Sequence, residues 1–130
     1  MTDPTKIYLS IPYTGKEWLS FHLATRATAD LMKAGNVVYS PITHSHPIAT
    51  MEDMPHDDHD FWMRQDLPML DCCNIMAVVK LDDWYNSKGV KRELMGAADI
   101  GIPVIYLTVD MFATDKEIDE WRGIDGTAKG

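Results

Sequence analysis

Cysteine is nearly absent from this chain: 2 residues in 130, adjacent at Cys72 and Cys73. Neighbouring thiols rarely pair with each other, and two thiols alone make no structural zinc site. Neither a disulfide framework nor a zinc staple is therefore expected, and the pair reads as structural. Cationic residues are scarce too. Against 20 Asp and Glu stand 12 Lys and Arg, a formal charge of −8 with an isoelectric point near 4.9. That balance argues against polymeric nucleic acid or an anionic membrane as the main partner, while a small phosphorylated ligand needs only a few local donors. Long apolar runs are missing. The run Ile7 to Ile11 is far too short to cross a bilayer, and the opening Met1-Thr2-Asp3-Pro4-Thr5 is polar. A cytoplasmic protein with no signal and no membrane segment is expected. Walker A and GxGxxG loops, internal repeats and low-complexity linkers are absent as well.

What is present is the composition of a folded globule, 45% hydrophobic and 25% charged over 130 residues. This is one domain's length, spanning 1–130, with Gly126 to Gly130 expected as a frayed tail. Lys6-Ile7-Tyr8-Leu9-Ser10-Ile11 reads as a first strand ended by Pro12. Glu17 to Ala34 has helical periodicity, with Trp18, Phe21, Ala24, Thr28, Leu31 and Met32 near one face and Gly35-Asn36 as the stop. Val37-Val38-Tyr39 is a second strand, followed by a long polar stretch from Ile42 to Asp60 expected as a loop. Helical spacing resumes at Phe61 through Met63, Leu67, Leu70 and Asn74, with a kink or fresh start expected at Pro68. Ile75 to Val79 has the continuous apolar character of a strand covered on both faces. Lys88 to Ile100 is a helix with Val90, Leu94 and Ala97 inward, Pro103 to Leu107 a strand, and Thr114 to Trp121 a last helix capped by Thr114 or Asp115.

Alternation of strands and helices implies a parallel sheet of four to five strands with helices on both faces, an α/β fold. Ligands of such sheets bind beyond the carboxyl ends of the strands. The loop Ser10 to Gly15 offers hydroxyls and helix-start N–H groups, although it also reads as an ordinary turn. Ser87 stands where the N-cap of the next helix is expected, and Gly89 allows a ligand near the backbone. Glu93 borders that helix's buried face, yet a lone helix glutamate is usually solvated. Asp66 lies one turn after Trp62, where an apolar neighbour raises a carboxyl pKa, or it is a plain surface or capping residue.

Together, Ile7-Tyr8-Leu9-Ser10, Asp66-Leu67 with Leu70, Asn74-Ile75-Met76 and Ser87-x-Gly89-Val90-x-x-Glu93-Leu94 with Gly96 resemble the nucleoside 2-deoxyribosyltransferase superfamily, which includes deoxynucleoside monophosphate N-glycosidases. The resemblance runs from Lys6 to Leu107 and implies a single flavodoxin-like (Rossmann-like) domain. It also implies a nucleophilic carboxylate at Glu93, oriented by Tyr8, with Asp66 protonating the departing base. A serine at Ser87, where enzymes of free nucleosides tend to hold aspartate, implies a nucleotide rather than a nucleoside. Gly15 and Arg26 are further candidates on the phosphate side. Asn74 replaces a common aspartate of the family, and no counterpart is evident for the polar residue that neighbouring subunits lend.

The remaining candidates for substrate contact are Ser10, Tyr13, His44, His46, Asn74 and Trp84. Trp84 is placed either to stack on a base or to sit in an interface. His44, His46, His56 and His59 with nearby aspartates could chelate a metal, but they match no finger or zincin spacing and read as a solvated loop over the pocket. The leading function is hydrolysis or transfer at the N-glycosidic bond of a (deoxy)nucleoside 5′-monophosphate. A non-catalytic nucleotide binder and a metal-dependent hydrolase are the alternatives. The leading reading needs no metal and no cofactor, takes a small nucleotide or nucleoside as partner, and expects a homodimer or higher homo-oligomer.

Overall fold

Four short apolar runs pair side by side in one parallel sheet: β1 (Lys6–Ser10), β2 (Val37–Tyr39), β3 (Ile75–Val79) and β4 (Val104–Leu107). Their order is β2-β1-β3-β4 in the computed structural model, which describes residues 3–126. This is a flavodoxin-like order, with the topological switch between β1 and β3. The register is set by Ile7 opposite Ile75 and Ser10 opposite Val78, then Met76 opposite Val104.

Strand periodicity of two sorts the side chains onto opposite faces. Ile7, Leu9, Ala77 and Val79 point to the face covered by α1 (Glu17–Lys33) and α5 (Asp115–Ile124). Tyr8, Met76 and Val78 point to the other, covered by α3 (His59–Leu70) and α4 (Lys88–Ile100). Leu9, Leu19 and Leu23 are completely buried, each such side chain contributing roughly 2 kcal/mol of transfer free energy. α3 and α4 approach closely at Gly96, where an added Cβ would lie 2.9 Å from Leu70 Cδ2.

Several expectations are corrected. The polar stretch is not one loop, because Pro41–Met51 forms a helix, α2. Ser40 caps it by accepting from the Thr43 N–H, and Pro41 occupies the first turn, where no N–H is needed. Packing on α1 then buries Ser45, His46 and Ala49. α3 runs through Pro68 without restarting, so Asp66 is not the cap of a second helix. On α1 the buried stripe is Leu19, Ser20, Leu23, Ala24, Ala27 and Thr28, rotated from the expected face; Met32 is exposed and Trp18 and Phe21 are half-buried. Arg26 faces α5, donating to Glu117 at 2.7 Å and lying over the Trp121 ring, and so does not serve a phosphate. α5 extends to Ile124 with Thr114 as its cap. Of the expected frayed tail, Gly126 closes the turn after α5 and residues 127–130 lie outside the described residues.

Candidate active site

The carboxyl ends of the strands open onto a cavity at the switch point. Its walls come from Leu9 and Ile11 at the end of β1, Tyr13 and Thr14 after it, Ile42 and Ser45 on α2, Trp62, Met63 and Asp66 on α3, and Ser87, Gly89 and Glu93 at α4; His56 and His59 close its rim. The space counted out to its mouth, open solvent included, is about 610 Å³.

Tyr8 and Ser10 lie two residues apart on β1, so both hydroxyls leave the sheet on the α3–α4 side. On α4, helical spacing puts Glu93 on the stripe of Val90 and Ala97, which faces the sheet. The two patterns meet at one carboxylate. Tyr8 donates to Glu93 Oε2, and Ser10 donates to Oε1 at 2.7 Å. Glu93 is 5% exposed and Tyr8 wholly buried. Burial drives the Glu93 carboxyl up to about 7; the two donors pull against this rise, and the charge of Asp66 adds to it. The Tyr8 phenol is itself raised, first by burial and then by the charge of Glu93, so it stays a donor.

A second buried carboxyl stands nearby. Asp66 is 4% exposed and accepts from the Tyr39 hydroxyl at 3.2 Å. Burial raises it to about 6, while the Tyr39 hydrogen bond and the charge of His44 work in the opposite direction. Two carboxyls with raised pKa values therefore line one cavity, a combination found more often at functional sites than elsewhere.

Ser87 caps α4, its Oγ accepting from the Val90 N–H at 3.2 Å, and keeps its own O–H for another acceptor. Gly89 lies beside it, 3.7 Å from the Met63 methyl by the position a Cβ would take. An adjoining depression shares Tyr13, Thr14, His59 and Ser87 with the cavity and adds Lys16, Lys88, Asp57 and Asp83.

The sequence candidates divide accordingly. Tyr8, Glu93, Asp66, Tyr13, Ser87 and Gly89 come together at or behind the cavity wall. Ser10 is 1% exposed and holds Glu93 rather than facing the opening. Asn74 lies at the opposite, amino-terminal end of β3, where its Oδ1 accepts from the Lys6 N–H at 2.9 Å; it is not a substrate contact. His46 is 2% exposed, sealed behind Tyr13 between Phe21 and Trp18, and does not line the cavity. His44 is exposed beside Tyr39, and Trp84 packs on Tyr106 with ring centroids 5.2 Å apart; neither forms the wall. Gly15 gives its N–H to Glu17 at 2.8 Å. The start of α1 is closed as well: Asp125 accepts from the Trp18 and Leu19 N–H groups at 2.6 and 2.9 Å. Among the described residues, no group of three or more His, Cys, Asp or Glu is placed to hold a metal ion.

Tyr39 was missed as the partner of Asp66. His56 and His59, read as part of a loop over the pocket, do line the cavity, but His59 is the first residue of α3. Tyr39 carried a signal, since it ends a strand whose carboxyl edge borders the site.

The chain matches a family described as "Domain of unknown function (DUF1937)" over residues 5–109. No curated protein matches it. Among 6 matching chains of solved structure is a 2-deoxyribosyltransferase from the psychrotolerant bacterium Bacillus psychrosaccharolyticus, 21% identical, with a TM-score of 0.56 over 90% of this chain and 82% of that one. The chain shares the fold of that 2-deoxyribosyltransferase, the α/β flavodoxin-like architecture that the sequence resemblance implied.

Proposed function

We propose, for a chain that belongs to the DUF1937 family, that the cavity cleaves the N-glycosidic bond of a (deoxy)nucleoside 5′-monophosphate. The observation that carries this reading is the Glu93 carboxylate, buried at the cavity wall between the hydroxyls of Tyr8 and Ser10. A carboxylate buried at this cost serves as a nucleophile or base more readily than as a structural group. The neighbour of like fold is described as a 2-deoxyribosyltransferase, which supports sugar–base chemistry.

In the proposed reaction, one Glu93 oxygen attacks the anomeric carbon as the carbon–nitrogen bond breaks. The electron pair leaves with the base, and protonated Asp66 supplies the proton that neutralises it. Tyr8 and Ser10 hold the glutamate so that one lone pair stays aimed at the sugar. The resulting glycosyl ester is opened by water, or by a nitrogen of a second base, which gives its proton to Asp66, so that Glu93 is regenerated as carboxylate and Asp66 as the acid. Ser87, with Lys16 and Lys88 beside it, supplies a neutral and two cationic donors for a 5′-phosphate.

The test is incubation with deoxynucleoside 5′-monophosphates and the matching nucleosides, following free base by chromatography. Base release from the monophosphates is expected, and its loss by at least about 10³-fold in Glu93→Ala with nucleotide binding retained. Tight binding without turnover in the unaltered protein would replace the enzyme by a nucleotide-binding protein, and neither binding nor release would end the proposal.

A further inference from the structure

Tyr13 stands between two imidazoles. Its hydroxyl lies 2.6 Å from Nδ1 of His46 and 2.6 Å from Nδ1 of His56. When Tyr13 gives its one proton to one of these nitrogens, it accepts from the other. The two neutral rings are then opposite tautomers, and the direction of the chain remains to be fixed.

His46 decides the direction. Its ring is 2% exposed, stacked on Phe21 with centroids 4.5 Å apart and edge-on to Trp18 at the same separation. Its Nε2 is buried with no hydrogen-bond partner. An orphaned buried N–H is rarer and costs more than a bare acceptor lone pair. The His46 proton therefore belongs on Nδ1, from which it is donated to the Tyr13 oxygen. With the Tyr13 proton given to His56 Nδ1, the proton of His56 is left on Nε2. His56 is part of the cavity rim, and among the described residues no protein group takes up its Nε2.

We propose that Tyr13 and His46 act as positioning residues that fix His56 as a neutral Nε2–H donor to an oxygen acceptor of the molecule bound in the cavity. Burial, with the neighbouring His56, holds His46 below its usual pKa despite Asp125 and Glu17, which favours the neutral ring the chain requires. Successive hydrogen bonds polarise one another, so the last N–H is a stronger donor than a free imidazole. The ligand half of this inference rests on the reading of the cavity as a nucleotide site; the tautomer half does not.

Multiple-bond nitrogen–proton NMR on histidine-labelled protein at pH 8, without ligand, reads the tautomers. His46 is expected to carry its proton on Nδ1 and His56 on Nε2, with His56 becoming a tautomer mixture in Tyr13→Phe. Calorimetric titration of deoxynucleoside 5′-monophosphates and matching nucleosides then reads the contact. His56→Ala is expected to bind about tenfold more weakly and Tyr13→Phe about threefold. His56→Gln, whose amide N–H reaches the Nε2 position, restores most of the loss, whereas His56→Asn does not. A loss confined to the monophosphates identifies a phosphate oxygen; an equal loss for nucleosides identifies an oxygen of the base or sugar. Reversed tautomers, or a proton on Nδ1 of both rings, overturn the relay, and unchanged affinity in His56→Ala overturns the contact. Failure of the unaltered protein to bind any nucleotide overturns the proposed function and the ligand contact together, while the NMR result still decides the relay.

Discussion

Glu93 is a residue that the fold keeps at a cost. Its carboxyl rises from 4.5 in the unfolded chain to about 7, so the folded state binds the proton more tightly. The stabilisation from this group is complete below pH 4.5 and is lost as pH rises through 7, a difference on the order of 3 kcal/mol. Glu93→Gln is therefore expected to raise the melting temperature by roughly 10 °C at pH 8 and to leave it nearly unchanged at pH 4. Thermal unfolding at the two pH values checks this, and equal shifts at both would remove burial as the origin of the effect. Asp66 carries the complementary expectation. If it protonates the leaving base, Asp66→Asn slows release of ordinary bases by about 10²–10⁴. An N7-methylated purine, which departs without needing a proton, should lose far less. The proposed reaction requires ionised Glu93 and protonated Asp66, so kcat/KM is expected to be bell-shaped, rising through about 6 and falling through about 7. A rate that climbs steadily to pH 9 would remove Asp66 as the acid.

At the scale of elements, α1 depends on the far end of the chain. Lys16 at its N-cap makes no side-chain cap, and the missing acceptor is supplied by Asp125, just past α5, to the Trp18 and Leu19 N–H groups. A carboxylate there also meets the positive end of the helix dipole. Asp125→Ala is expected to cost about 1–2 kcal/mol, seen as a lower urea midpoint with an unchanged slope. No shift in midpoint would mean that water replaces the carboxylate. Asp125 is 107 residues from Trp18, so no local pattern reveals this cap. α2 escaped the sequence for a related reason. Pro47 and the two histidines break any apolar stripe, and the segment is helical because Ser40 caps it and α1 buries one side. By contrast α4 was legible throughout: Val90 and Ala97 keep their spacing, Ser87 caps the start and Gly101 ends it at a positive φ of 75°.

For the whole molecule, the charge of −8 outweighs the ion pairs that offset it. Arg26–Glu117, Arg92–Asp60 and Arg122–Asp82 all involve partly exposed groups, where such pairs contribute little. Repulsion among the remaining carboxylates has the greater effect, so raising sodium chloride from about 20 to 200 mM should raise the melting temperature by about 2–4 °C. A fall would show that the ion pairs dominate. The alternation of four strands with α1, α3, α4 and α5, the parallel sheet and the inward face of α4 were legible in the sequence, because periods of two and 3.6 are local properties of a chain. The sequence could also mark Tyr8, Asp66, Ser87 and Glu93 as candidates through family resemblance. Only the tertiary structure decided which candidates meet. Tyr8 reaches Glu93 across 85 residues, Asn74 falls at the wrong end of its strand, and His46 disappears into the core while His56 stays at the rim. Contacts of that range depend on how strands are ordered and how helices pack, and that order is fixed by the burial of the whole chain rather than by any segment of it.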